Sequence, residues 1–259
     1  MSEAPSPITT RQDGGVLTIT FNRPDKKNAL TVAMYQLAVR AIREANNDKS
    51  VRALVLTGAG GSFTAGNDLA DFMNVPPAGL DSPVIQFLLS LVELEKPILC
   101  AVQGPAIGIG TTLLLHCDLV YADETAKFRL PFVDLGLVPE GASSFLLPRI
   151  MGAPRASELL YFSEVFDARK AKELGLITDV IPADRLATEV QTRAATLAQK
   201  PPASLRATKK LLRAGTREQV MRALKEEGDI FVERLRSEEA MEAFSAFFEK
   251  RKPDFSRFS

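Results

Sequence analysis

Apolar and polar positions along the chain follow two periods. "VLTITF" (16–21) alternates apolar and polar residues, as a strand with one face in a core does. "ALTVAMYQLAVRAIREA" (29–45) instead sets Leu30, Met34, Leu37, Ala38, Ala41 and Ile42 at helical spacing. Between them "NRPDKKN" (22–28) is a turn-rich loop. "VRALVLTGAG" (51–60) predicts a second strand ending in glycines, "SFTAGNDLADF" (62–72) a loop running into a short helix, and 76–83 a loop. A helix over 84–95 and a strand "ILCAV" (98–102) come next. "GPAIGIGTTLLLHCD" (104–118) reads as a glycine-rich turn opening a buried helix, and "LVYA" (119–122) and "AKFRL" (126–130) as short strands. "ASSFLLPRIMG", 154–163 and 167–174 read as helices, the last closed by Gly175. Residues 1–10 read as a frayed polar tail.

Strand and helix thus alternate over about the first 180 residues, which makes the fold class α/β. After about residue 185 no strand pattern remains. Val220, Met221, Leu224, Phe231 and Leu235 form one helical stripe, and Met241, Phe244, Phe247 and Phe248 another. Such a region packs on a core of its own, or lays its aromatics against a second subunit; the pattern leaves both open. The boundary falls near 195, giving a core over 1–195 and a helical subdomain over 196–259.

Composition narrows the partners. The chain has 259 residues, 46% of them hydrophobic, enough for one large domain or a domain with an appendage. Lys+Arg and Asp+Glu are 32 each, so no global charge invites nucleic acid or an anionic membrane. Cys100 and Cys117 both sit among apolar residues and form no CxxC metal signature, which predicts buried thiols in a reducing compartment. No apolar run is long enough to span a bilayer, and "MSEAPSPITT" has no signal core, so a cytoplasmic location is the default expectation.

Several chemistries lack their residues. The one histidine, His116, stands in the apolar "LLLHCD" and reads as a core residue, which leaves no Ser-His-Asp triad or histidine metal site. "GPAIGIG" is not a GxGxxG fingerprint, and "GAGGSF" lacks the Lys-Ser/Thr of a P-loop. Two glycine-rich loops, "FTAGNDL" and "GPAIGIGTT", each lead into a helix and would expose free N–H groups at its positive end. Each glycine serves equally well as a plain turn residue, and periodicity does not tell whether the loops converge. "LGLVPEGASSFLLPRIMG" (135–152) holds one carboxylate, Glu140, between Pro139 and Gly141 in apolar surroundings. Burial there would raise its pKa, while a helix start would favour its charged form.

The ordered set "RPDKKNAL", "FTAGNDL", "GPAIGIGTTLLLHCDLVYA", "PFVDLGLVPEGASSFLLPRIMG" and "FFEKRKPDF" resembles the crotonase, or enoyl-CoA hydratase/isomerase, superfamily from about residue 14 to the C-terminus. The resemblance implies a crotonase-like spiral of ββα units with a C-terminal helical trimerisation region, a homotrimer or hexamer, and acyl-CoA thioester substrates. It implies an oxyanion hole made by the backbone N–H groups of Asn67 and Ile109. It also implies substrate contacts from Lys27, Ala29, Ala65, Gly66, Asp68, Leu69, Gly110 and Phe132, with basic residues at 250–252 reaching the CoA phosphates. It calls for no metal and for no cofactor beyond the CoA of the substrate.

Two departures bear on the subfamily. Hydratases of this family carry glutamates where this chain has Thr112 and Phe132. Hydration needs one group to activate water and another to protonate carbon, and phenylalanine does neither. Glu140 lies instead where the peroxisomal-type Δ3,Δ2-enoyl-CoA isomerases, which the chain resembles, place their catalytic base. The expected activity is therefore a shift of the 3-enoyl double bond to the 2-position in fatty-acid β-oxidation, by one carboxylate moving one proton. A hydratase-like or other enolate-forming enzyme, and a non-catalytic acyl-CoA-binding protein, remain the alternatives. Asp134, the other nearby carboxylate, reads as a surface hydrogen-bonder.

Overall fold

A strand covered on both faces needs apolar residues on both faces, and "ALVL" and "ILCAV" carry them without alternation. The computed structural model, which describes residues 6–77, 79 and 81–258, places both segments in the centre of a six-stranded sheet. The first five residues of the expected tail, and Ala78 and Leu80 of the expected 76–83 loop, lie outside the described residues.

The elements run β1 (Ile8–Asp13), β2 (Val16–Phe21), α1 (Val32–Asn47), β3 (Ala53–Gly58), α2 (Leu69–Asn74), α3 (Pro83–Glu93), β4 (Ile98–Val102) and β5 (Pro105–Ile107). They continue through α4 (Ile109–Thr112), β6 (Leu119–Ala122), β7 (Lys127–Arg129), α5 (Ser143–Met151), α6 (Ala153–Phe162), β8 (Phe166–Asp167), α7 (Ala168–Glu173) and β9 (Asp179–Val180). The last four are α8 (Ala183–Ala198), α9 (Pro202–Ala214), α10 (Arg217–Arg234) and α11 (Glu238–Glu249). The large sheet has the order β1-β2-β3-β4-β6-β9, antiparallel at β1–β2 and parallel beyond, and β5, β7 and β8 make a second, three-stranded sheet.

The alternation within each strand sorts its residues between two cores. Leu54, Leu56, Ile98, Cys100 and Val102 face the main core with α1 and α3, while Ala53, Val55, Leu99 and Ala101 meet Leu186, Val190 and Ala194 of α8 on the other face. Thr31 caps α1 by accepting a hydrogen bond from the Met34 N–H, three residues later than the helix expected from periodicity begins.

Four short elements depart from expectation. Residues 8–13 are a strand rather than a frayed tail, pairing residue for residue from Ile8↔Phe21 to Asp13↔Val16. Its side chains after Ile8 are exposed, so the backbone ladder and the one buried side chain, Ile8, hold it. Pro105–Ile107 is a strand, not part of a turn, and the helix after it is one α turn followed by a 3₁₀ turn. The strands β8 and β9 are two residues each, below the length at which a period can be read.

The C-terminal helices share the main core: Val220, Leu224 and Phe231 of α10 and Ala240 and Phe244 of α11 belong to it. Met241, Phe247 and Phe248 stay exposed. Among the described residues no helix is long and apolar enough to cross a membrane.

Candidate active site

The two glycine-rich loops converge. Thr64 N–H donates to Pro105 O at 2.9 Å and Ile107 N–H to Thr64 O at 3.1 Å, so the loop before α2 runs beside β5. Gly66 makes this possible: its φ is +90°, and a Cβ there would stand 2.7 Å from Ile107 O. Leu30 N–H donates to Gly66 O and Asp68 N–H to Leu30 O, which fixes Asn67 between them. Among the described residues, neither the Asn67 nor the Ile109 N–H is donated to a protein acceptor. Ile109 is the first residue of α4, ahead of the first N–H that the Gly108 carbonyl receives, that of Thr111.

Both residues line one open cleft, together with Lys26, Ala29, Ala65, Gly66, Asp68, Leu69 and Phe132. Lys27 is not in this wall; its carbonyl accepts from the Ala65 N–H at 2.9 Å and so ties the first loop to the second. Gly110 also stands outside it, packed on Thr64, where a Cβ would be 2.7 Å from Thr64 Cγ2. Asp68 caps α2 by accepting from Asp71 N–H and pairs with Arg23 at 2.6 Å. Asp134 pairs with Arg129 at 2.7 Å on the half-exposed rim. Arg251 is engaged by Glu242 at 2.5 Å and by Glu249 at 2.6 Å.

At Asn67 and Phe72 the cleft meets a narrow inner pocket, walled by α3 and α10 through Val84, Ile85, Leu224, Phe231 and Val232. Glu140 opens onto this pocket. It is 8% exposed, so its environment is set by the protein and not by water. It precedes α5 by three residues, with Gly141 (φ +72°) and Ala142 (φ +56°) turning the chain between. A Cβ on Gly141 would lie 3.0 Å from both Cβ and Oγ1 of Thr112, so the close approach of these two segments requires glycine. The Thr112 hydroxyl donates to Glu140 Oε1 at 2.5 Å.

Of the two opposing influences on Glu140, burial wins. It pushes the carboxyl up to about 8, against the Thr112 hydrogen bond and with the help of the neighbouring Glu227 carboxylate. His116, buried in the core as expected, has a role in the same turn. Its Nε2 lies 2.8 Å from Gly141 O, and a carbonyl only accepts, so Nε2 carries the proton. Burial lowers its pKa to about 4, which keeps the ring neutral at pH 7.

Three further groups escaped the sequence reading. Tyr35 of α1, fully buried in the helix stripe, donates its hydroxyl to Asn67 Oδ1 at 2.5 Å. Glu227 of α10 accepts from Ala142 N–H. The Thr112 hydroxyl completes the set. An acidic residue in an otherwise apolar stripe was the available signal for Glu227; for Tyr35 and the Thr112 hydroxyl there was none.

Residues 11–257 match the Enoyl-CoA hydratase/isomerase family. Enoyl-CoA delta isomerase 2 of Rattus norvegicus is 39% identical over 252 residues, covering 95% of this chain and 64% of its own. The chain thus spans less than two thirds of that relative. The 1,2-epoxyphenylacetyl-CoA isomerase of Escherichia coli (strain K12) is 36% identical, with 96% and 98% covered. A crystal structure of an enoyl-CoA hydratase/isomerase from Pseudoalteromonas atlantica T6c is 44% identical and superposes with a TM-score of 0.92 over 96% of this chain and 100% of that one.

Proposed function

The chain belongs to the enoyl-CoA hydratase/isomerase, or crotonase, family, and from that premise we propose that it is a Δ3,Δ2-enoyl-CoA isomerase. The observation that carries the reading is the Glu140 carboxyl, buried and bonded only to the Thr112 hydroxyl, at the head of a largely apolar pocket that opens from the cleft at Asn67; the other two acids of its lining are engaged, Glu227 by Ala142 and Ser144 and Asp229 by Lys225. The CoA moiety lies in the outer cleft, the thioester carbonyl at the Asn67 and Ile109 N–H groups, and the acyl chain in the inner pocket.

In this geometry ionised Glu140 takes a proton from C2 of a 3-enoyl-CoA. The electron pair delocalises through C3 and C4 and onto the thioester oxygen as a dienolate, whose charge the two N–H groups receive. The protonated Glu140 then returns the proton to C4, the electrons flow back, and the double bond stands between C2 and C3. The same proton is removed and returned, so the step balances without water, metal or redox partner. A pKa raised by burial suits both halves: the carboxylate is a stronger base than in water and holds its proton until C4 is in reach.

Hydration is the weaker reading because the residues at the hydratase acid positions are otherwise used. Thr112 is fully buried and bonded to Glu140, and Phe132 is a buried wall of the cleft. The exposed aromatics of α11, Phe247 and Phe248, support assembly into a homotrimer or hexamer.

The deciding assay offers short, medium and long 3-enoyl-CoAs and follows formation of the conjugated product. No product from any of them rejects the isomerase reading. Tight acyl-CoA binding without turnover points to a binding protein, and rapid loss of crotonyl-CoA absorbance to a hydratase.

A further inference from the structure

Helix α5 begins without a cap of its own. Its N-cap residue, Ala142, has no side-chain acceptor and sits at φ +56°, directly after Gly141 at +72°. Two consecutive left-handed residues do not hold a turn in place by themselves, and Ser, Thr, Asp or Asn is the ordinary solution at this position. Here the cap comes from the other end of the chain. Glu227 of α10 accepts from Ala142 N–H through Oε2 at 2.6 Å, and from Ser144 N–H and Ser144 Oγ through Oε1 at 2.8 and 2.5 Å. All three donors favour the ionised carboxylate, and Glu227 is 7% exposed. Burial outweighs these bonds and raises its pKa to about 7, so its charge is fully present only above neutral pH.

A carboxylate is costly to bury, and a second one beside Glu140 is costlier. Glu227 and Glu140 line the same pocket. We propose that Glu227 is a positioning residue, which clamps the Glu140–Ser144 turn from α10 so that the Glu140 carboxyl faces the acyl chain, and which sets a second negative charge beside that carboxyl. The inference rests on the isomerase reading for its kinetic consequence, but not for the clamp itself.

The other groups around the pair leave this charge uncompensated. On α10, Lys225 and Asp229 pair with each other at 2.6 Å on the exposed rim. From α1 comes the neutral Tyr35 hydroxyl, from the 3₁₀ turn before β6 the neutral His116, and from α4 the Thr112 hydroxyl. The α3 side contributes Val84 and Ile85 only.

Glu227→Gln keeps the size, removes the charge, and turns an amide donor toward an N–H donor. Expected are a kcat about tenfold lower with KM within about twofold, as misplacement of a base costs rate more than binding. The acid limb of the pH–rate profile shifts to lower pH, because Glu140 ionises more easily without its charged neighbour. The amides of Ala142 and Ser144 exchange hydrogen faster. Glu227→Asp separates the two effects. It keeps the charge but falls short of both N–H groups, so kcat and exchange change while the acid limb stays. Wild-type kcat, acid limb and exchange in Glu227→Gln overturn the inference. If that variant gives no cooperative melt, wild-type kcat and exchange in Glu227→Asp overturn it instead. A wild-type chain that turns over no 3-enoyl-CoA sinks the isomerase reading alone, and amide exchange then still decides the clamp.

Discussion

The hydroxyl of Thr112 lies 2.5 Å from Oε1 of Glu140 and donates to it. Thr112 occupies one of the positions that drew attention by lacking an acid. In the folded chain it instead donates to Glu140, from the second glycine-rich segment of the cleft. A carboxylate there would face Glu140 directly and compete with it for the proton.

Thr112→Val removes this donor at nearly constant volume. The hydrogen bond holds the Glu140 pKa down, so its loss moves the acid limb of kcat/KM to higher pH. Turnover at pH 7 falls several-fold, and the difference from wild type narrows above pH 8. An unmoved acid limb would show that the hydroxyl does not act on the base.

Glu140→Gln is expected to lower turnover by at least about 10³ while acyl-CoA affinity, by calorimetry, changes little. It also removes a pH effect on stability. With a folded pKa near 8 against 4.5 unfolded, the native chain holds a proton that the unfolded chain has released between those values. Wild-type stability therefore falls as pH rises from about 4.5 to 8 by this group's contribution, and Glu140→Gln lacks that fall. Parallel melting curves of the two proteins at all pH values would contradict the buried setting of Glu140.

Tyr35→Phe deletes the donor to Asn67 Oδ1 and leaves a half-buried amide oxygen without its protein partner. The cost to stability is about 1 kcal/mol, read from denaturant midpoints. Because the Asn67 N–H is the proposed oxyanion donor, kcat is expected to fall with it, whereas a purely structural tyrosine would change stability and leave kcat alone.

Gly228 lines the pocket proposed to take the acyl chain. It faces Ile85 across the gap between α10 and α3, where a Cβ would make ordinary contact at 3.9 Å with Ile85 Cδ1. Gly228→Ala is therefore expected to stabilise α10 by up to about 1 kcal/mol, glycine being the poorer helix former. Gly228→Leu fills the pocket and raises KM for long-chain 3-enoyl-CoAs more than for short ones. Equal effects on both would place the acyl chain elsewhere.

Local pattern made much of the architecture legible. "ILCAV" could be a central strand and little else, and "VLTITF" showed its period plainly. The edge strand Ile8–Asp13 was invisible for the opposite reason: five of its six side chains point into water, and its pairing is made by backbone groups that every sequence shares. Glu140 could be picked out as a lone acid among apolar residues, and so could the two glycine-rich loops.

The sequence by itself determined the strand–helix alternation, the places where the backbone can turn left-handed or pass within van der Waals reach of another segment, and the presence of a lone acid, Glu140, in the apolar 135–148 segment. The tertiary structure decided which of these meet. Gly66 against Ile107, Thr112 and His116 on the 140–141 turn, and Glu227 capping a helix more than 80 residues away are contacts between distant segments. Periodicity reports only which way a side chain points from its own element, and a pKa depends on what surrounds the group after that element has packed.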